Sequence, residues 1–384
     1  MMKSFDFSLR TKLIFGEDSS ERLGSLGQEI GLSQPLLVAD EGIRLAGHVD
    51  RVTKILRDAG IKPVLFHDFK VNPDTNMVEK GALFASQYQI DAIIGLGGGS
   101  SLDCAKAINF LLTNGGRMVD YQGYGKARRP MLPMIAMPTT AGTGSEAQSY
   151  AVIADAKTKM KMACGDPKAA FRLAILDPKL TLTQPRTVTA AAGYDAIAHS
   201  VETAVTTRRT PVSRVFSRES FCLLTNQFNK TLLTPHDVEA RATMQLGAFY
   251  AGIAIEQSML GAAHACANPL TAHYDITHGV ALSILLPHIV EWNTLHNGQL
   301  YDELIRESSP LSSGSSNKNS GKRLAGQLVE IGKTCGFPSR LRDAGVIESD
   351  LRKLAKEAGS QWTGTFNPRP FGVSEAMEVY ECAY

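Results

Sequence analysis

Asp195 and His199 lie four residues apart in Gly193-Tyr194-Asp195-Ala196-Ile197-Ala198-His199-Ser200, a stretch rich in alanine with no proline. If it is helical, the carboxylate and the imidazole share one face, one turn apart. Such a pair can bind one divalent metal ion. A solvated ion pair on a helix surface would have the same spacing. Two downstream histidines change the balance. His264 in Gly261-Ala262-Ala263-His264-Ala265 and His278 in Thr277-His278-Gly279 sit in strongly apolar segments. Apolar surroundings hold several histidines only when something uses their nitrogens. Three histidines and one aspartate make a metal site that leaves coordination positions open.

A second kind of chemistry belongs to the first half of the chain. The apolar run Ile90 to Leu96 leads into Gly95-Leu96-Gly97-Gly98-Gly99-Ser100-Ser101-Leu102-Asp103-Cys104-Ala105-Lys106, with a helix expected to about Leu112. Glycines let a backbone approach a ligand closely, and a helix start favours an anion such as a pyrophosphate. A tight structural turn is the bland alternative. The spacing is not GxGxxG and does not follow the first strand. Asp40 ends the run Pro35 to Asp40, where a carboxylate could accept hydrogen bonds from a ribose diol. It would repel a 2′-phosphate, so NAD is expected over NADP. Pro138-Thr139-Thr140-Ala141-Gly142-Thr143-Gly144-Ser145-Glu146 follows the strand Met134 to Met137 as a second loop of hydroxyls and glycines. Lys161 falls in a stretch that looks like a hairpin.

The elements that must position these residues fall into two halves. Strands are expected at Phe5 to Phe15, Pro35 to Asp40, Pro63 to Phe66 and Ile90 to Leu96. Helices are expected at Ser19 to Ile30, Val49 to Ala59 and Asn76 to Tyr88. This alternation implies a parallel sheet covered by helices. Turn signals from Asp177-Pro178 to Pro185-Arg186 mark a boundary, giving domains at 1–184 and 185–384. The second is expected to be all-helical, with helices at 187–206, 211–229, 236–255, 259–272, 278–296, 322–336, 348–358 and 374–383. Arg306 to Lys322, rich in serine and asparagine, is expected to be an exposed loop. With glycine loops in one half and metal ligands in the other, substrate is expected in a cleft between the domains.

Composition excludes other classes. The 384 residues are 43% hydrophobic and 20% charged with a formal net charge of +2, ordinary for a globular protein. No basic stripe suggests nucleic acid, and no apolar run suggests a membrane span. The six cysteines form no CxxC pair, and the opening residues carry no apolar leader segment, so a reducing cytoplasm is expected.

Taken together, Gly97-Gly98-Gly99-Ser100-x-x-Asp103-x-x-Lys106, the loop Pro138 to Glu146, Asp177-Pro178, Asp195-Ala196-x-x-His199-x-x-Glu202 and Asn367-Pro368-Arg369-Pro370 resemble the iron-containing (group III) alcohol dehydrogenases over essentially the whole chain. The resemblance implies an α/β N-terminal parallel-sheet dinucleotide-binding domain plus an all-α C-terminal metal-binding domain, a fold shared with dehydroquinate synthase-like enzymes. It implies Asp195, His199, His264 and His278 as ligands to Fe(II), with Zn(II) as the alternative. It implies NAD contacts from Asp40, Asn72, Gly97, Gly98, Gly99, Ser100, Asp103, Thr139, Thr140, Thr143 and Lys161. It further implies a homodimer paired through the N-terminal strand, and a small alcohol or aldehyde as substrate. A glycerol dehydrogenase-like zinc enzyme and a non-catalytic protein that binds NAD and metal are the alternatives. One position departs from the pattern: Asn268 stands where the family usually has a further histidine near the substrate. His273 is the nearby candidate for a proton relay in its place.

Overall fold

The computed structural model describes residues 4–295, 297–308 and 320–384. The chain divides into two compact units. One comprises Ser8–Gln184 and His236–Gln245. The other comprises the N-terminal residues up to Phe7, Pro185–Pro235 and Leu246–Tyr384.

The first unit is built on nine strands: β1 Lys12–Phe15, β2 Leu36–Val38, β3 Val64–Phe66, β4 Ile93–Gly97, β5 Gly123–Tyr124, β6 Met134–Pro138, β7 Tyr150–Ala154, β8 Lys161–Gly165 and β9 Leu173–Leu176. Six form one sheet in the order β1-β9-β6-β4-β2-β3, with every pairing parallel. Its inner strands β4, β6 and β9 are buried along their whole length, as continuous apolar runs in a doubly covered parallel sheet should be. The remaining three form a small sheet in the order β5-β8-β7, with β7 and β8 antiparallel, which is the hairpin read at Lys161.

Five whole α-helices belong to this unit, α1 Leu23–Glu29, α2 Glu41–Leu45, α3 His48–Asp58, α4 Thr75–Ala85 and α5 Gly99–Asn114, together with the start of a later helix at residues 238–245. On one side of the sheet, Leu23, Leu26, Val49, Val52 and Leu56 pack with Leu37, Ile94, Leu96, Ile135 and Ile175 in a single core. The segment His236–Gln245 joins this unit through named bonds. Gln245 Nε2 donates to the carbonyl of Pro138 at 3.0 Å, and Arg241 donates to Gln184 Oε1 at 3.3 Å.

The strand expected over Phe5 to Phe15 is confined to Lys12–Phe15. The reason is pairing. Residues 12–15 lie beside β9, whereas Phe5, Phe7 and Leu9 are exposed in chain outside any strand. An alternating pattern becomes a strand only where a ladder partner exists.

The second unit contains the helices α6 Arg186–Thr203, α7 Pro211–Leu233, the latter part of α8 Val238–Ser258, α9 Ala262–Tyr274, α10 His278–Thr294, α11 Asp302–Ser308, α12 Ser320–Cys335, α13 Leu351–Gly359 and α14 Val373–Ala383. Of the stretch expected as loop over Arg306 to Lys322, both ends are helical, in α11 and α12. Residues 309–319 lie outside the described residues, as does His296. α11 was not legible because its seven residues, DELIRES, carry too short an apolar pattern to declare a period.

Candidate metal and cofactor sites

Three helices meet around Asp195. Asp195 and His199 occupy successive turns of α6, and both are buried. His264 is the third residue of α9, and His278 is the first residue of α10. Gly279 explains how His278 arrives. A Cβ at Gly279 would collide with the backbone carbonyl of Ala191 on α6, so glycine is what lets the start of α10 lie against α6.

Donor atoms of Asp195, His199 and His264 all lie within 4.8 Å of one another, and His278 stands beside Asp195. Asp195 Oδ1 lies 3.4 Å from His199 Nε2, 3.5 Å from His264 Nε2 and 3.9 Å from His278 Nε2. Ligands held at about 2.0–2.2 Å from a single ion stand roughly 3–4 Å apart, which is this spacing. Asp195 Oδ1 and His264 Nε2 are both buried, yet neither has a partner with hydrogen-bond geometry. An acceptor oxygen and an imidazole nitrogen left without such a bond in the interior are costly unless a cation engages them. One carboxylate and three imidazoles suit a borderline divalent ion such as Fe(II) or Zn(II). The residues present therefore fit a divalent metal.

The electrostatics agree. Burial opposes charge on Asp195, but the surrounding His199, His278 and His264 outweigh it and hold the carboxyl well below the usual carboxylate range. Burial would likewise lower the His264 value. Glu202 and Asp195 reverse this and raise it to about 9. Metal entering at neutral pH must displace a proton there.

Glu202 was part of the motif, but its role was not legible in the sequence. It lies on α6 two turns beyond Asp195, on the same face. Its Oε2 is bonded to His264 Nδ1, and its Oε1 accepts from Ala263 N at 2.7 Å. A carboxylate on Nδ1 fixes the tautomer and turns the Nε2 lone pair toward Asp195. Glu202→Gln would present an amide N–H to Nδ1 and force the ring proton onto Nε2. Metal affinity should fall about 10- to 100-fold. A metal titration of the apoprotein checks this, and unchanged affinity contradicts it.

The substrate-side expectations sort by helix periodicity. Asn268 is one turn after His264 on the same side of α9, and its Nδ2 donates to Gln361 Oε1 at 3.2 Å. His273 is nine residues after His264, half a rotation away. It is bonded to Glu357 Oε2 at 2.7 Å and lies 3.4 Å from Lys353 Nζ. The ring of His273, the suggested relay, is thus bonded at Glu357 and lies, by helix periodicity, on the side of α9 opposite His264. His273→Ala should leave every limb of the pH–rate profile in place. Loss of a limb would restore the relay.

The residues expected at the cofactor lie in the other unit, most of them at the C-terminal ends of β2, β4 and β6, with Asn72 after β3 and Lys161 at the start of β8. Ligands of parallel sheets bind at these strand ends. Gly97 has φ of 141°, which favours glycine, and Gly98 caps the 16-residue helix α5. A Cβ on Gly99 would lie 2.5 Å from the Thr143 methyl, and one on Gly98 would lie 3.2 Å from the Thr140 methyl. The two loops thus pack closely enough that side chains on these glycines would fill the cradle. Asp40 caps α2 through Ile43 N at 3.1 Å and accepts from Ser101 Oγ at 3.1 Å. Asn72, also with positive φ, donates its backbone N–H to Ser100 Oγ at 3.0 Å. Thr139 is buried, with its N–H bonded to the carbonyl of Gly97. Lys161 begins β8, within electrostatic range of Asp103. A glycine-lined helix start beside hydroxyls and a ribose-ready carboxylate fits a dinucleotide.

Asp103 was expected among the cofactor contacts, but it faces into the protein. Its Oδ1 accepts from Ser145 Oγ at 2.6 Å and its Oδ2 from Val152 N at 3.2 Å.

Residues 10–178 match iron-containing alcohol dehydrogenase, and residues 189–384 match the C-terminal part of the Fe-containing alcohol dehydrogenase family. The NAD-dependent methanol dehydrogenase of Bacillus methanolicus is 32% identical, covering 98% of this chain and 99% of that protein. The chain belongs to the iron-containing alcohol dehydrogenase family. The 1,3-propanediol dehydrogenase of Klebsiella pneumoniae is 30% identical over all of this chain and 99% of that protein. A solved structure of a 1,3-propanediol oxidoreductase superposes with a TM-score of 0.95 at 30% identity, with both chains fully covered. The chain is accordingly an oxidoreductase, and its parallel-sheet unit and helical unit are those of an iron-containing alcohol dehydrogenase.

Proposed function

We propose that this iron-containing alcohol dehydrogenase transfers hydride between a small alcohol or diol and NAD, or in reverse from NADH to the aldehyde. Asp195, His199, His264 and His278 would hold the metal. Asp40, Asn72, Gly97, Gly98, Gly99, Ser100, Thr139, Thr140, Thr143 and Lys161 would hold the cofactor. The observation that carries the reading is the convergence of three imidazole nitrogens within 3.4 to 3.9 Å of one buried carboxylate oxygen.

A divalent metal bound there supplies Lewis-acid polarisation of the alcohol or carbonyl oxygen. The protein's own part is orientation. Asp195 contributes the negative charge, Glu202 holds the His264 tautomer, and α6, α9 and α10 keep the donors in register. His278, the least buried of the four, leaves the set open on its side. Asp40 selects NAD by repelling a 2′-phosphate. No protein nucleophile is required for hydride transfer.

The exposed Phe5, Phe7 and Leu9, in chain with no ladder partner of its own, support a homodimer paired through this segment. Six cysteines without a disulfide support a reducing, cytoplasmic setting. Among the described residues no helix is long and apolar enough to cross a membrane.

The test is turnover of protein reconstituted with Fe(II) or Zn(II) against a panel of alcohols, diols and aldehydes with each nicotinamide cofactor. Activity should appear with NAD, vanish on chelation and return with metal. Metal and NAD binding without NADH production across the panel would overturn the catalytic reading.

A further inference from the structure

The helix that carries His264 starts without a cap of its own. Gly261 is the residue before α9 and has no side chain to accept from the free N–H groups of the first turn. Two oxygens from distant segments do this instead. Glu202 Oε1 accepts from Ala263 N at 2.7 Å, and Asn367 Oδ1 accepts from Ala262 N at 3.3 Å. Both approach so closely that a Cβ at Gly261 would stand 3.0 Å from each.

Asn367 is itself held rigidly. Its Nδ2 donates to Asn293 Oδ1 at 2.8 Å and to the carbonyl of Arg369 at 2.9 Å. These bonds fix which way the amide faces and leave Oδ1 toward α9. Asn293 Nδ2 donates in turn to the hydroxyl of Tyr301 at 3.1 Å. Asn293, Tyr301 and Asn367 are all at least 95% buried. Asn293 lies on α10, the helix that His278 opens. The amide pair thus ties the first turn of one ligand-bearing helix to the body of another.

We propose that Asn367 is a positioning residue for the metal site. By capping α9 from outside, it fixes the place from which His264 presents Nε2, alongside the tautomer control by Glu202. The claim rests on the reading of the Asp195–His278 cluster as a metal centre. Loss of the amide leaves Ala262 N and Asn293 Oδ1 without these partners in a buried setting, and the first turn of α9 loosens by the route a missing helix cap opens. A ligand freed in this way weakens metal binding as loss of an outer-shell partner does.

The experiment measures Co(II) and Zn(II) affinity of the full chain, together with the visible spectrum of the Co(II) form. Asn367→Ala and Gly261→Ala should both weaken metal binding about 10-fold or more and alter the Co(II) bands. Gly261→Ala leaves the amide in place but crowds it together with Glu202 Oε1, so it tests the outside cap as a whole if Asn367→Ala does not fold. Arg369→Gln is the control. Arg369 lies over the Trp292 ring at 3.8 Å and donates to the Trp292 carbonyl at 2.9 Å, so this variant should lower stability and leave metal affinity unchanged. Affinities and spectra unchanged in Asn367→Ala and Gly261→Ala would overturn the proposal. A wild-type protein that binds neither ion would overturn the metal-centre reading beneath it, which separates the two failures.

Discussion

His264→Ala should abolish metal-dependent turnover while leaving most NADH affinity intact. His264 stands at the centre of the site. Its Nε2 is 3.5 Å from Asp195 Oδ1, its Nδ1 is bonded to Glu202, and its ring stacks on that of His199 with centroids 4.8 Å apart. Removing the ring takes away one metal ligand and strands Glu202 as a buried carboxylate without its imidazole partner. Lewis-acid polarisation contributes several kcal/mol to the transition state. At about 1.36 kcal/mol per factor of ten, its loss lowers kcat/KM by roughly a thousandfold or more. The cofactor residues belong to the other unit and share no bond with His264, so an NADH titration should give a dissociation constant within a few-fold of wild type. Full turnover in metal-stripped His264→Ala protein would show that the cluster is not the catalytic centre.

What could be read in the sequence follows a physical division. Buried parallel strands announce themselves as short apolar runs, and β2, β4 and β6 fall inside such runs. The i, i+4 pair Asp195 and His199 could be placed on one helix face because helix geometry is local. The stranded histidines in apolar context pointed the same way. The partnerships that complete the site are not local. Glu202 meets His264 across 62 residues, and Asn367 meets Ala262 across 105. No spacing rule encodes which helix ends face each other. Those residues were visible only as fragments of motifs, without roles. Asp103 is a related case: a carboxylate just inside a glycine loop can face a ligand or the protein, and its bond to Ser145, 42 residues on, is not local. The over-long N-terminal strand was an error of another kind: it took periodicity for pairing.

Lys106→Met should destabilise the α/β unit by about 3–5 kcal/mol, the scale for removing one partner of a buried ion pair. Lys106 is completely buried within α5. Its Nζ donates to the carbonyl of Ser145 at 2.7 Å, to Ser145 Oγ at 2.9 Å and to the carbonyl of Tyr150 at 2.7 Å, and lies 3.7 Å from Asp103 Oδ1. Ser145 Oγ passes the connection on to Asp103, so one ammonium ties the glycine-loop helix to the loop that follows β6. Methionine fills most of the volume but leaves two carbonyls and a carboxylate uncompensated. Burial already pushes the Asp103 carboxyl upward in pKa, and the lysine is the charge that counters it. The double variant Lys106→Met with Asp103→Asn should recover part of the loss, because the stranded charge goes with its partner. Urea unfolding should show a lower midpoint with little change in slope. NADH affinity should fall as well, since Thr139, Thr140 and Thr143 lie on the loop that Lys106 anchors. A midpoint within about 0.5 kcal/mol of wild type, the range of an ordinary surface substitution, would mean that the lysine does not hold the two loops together.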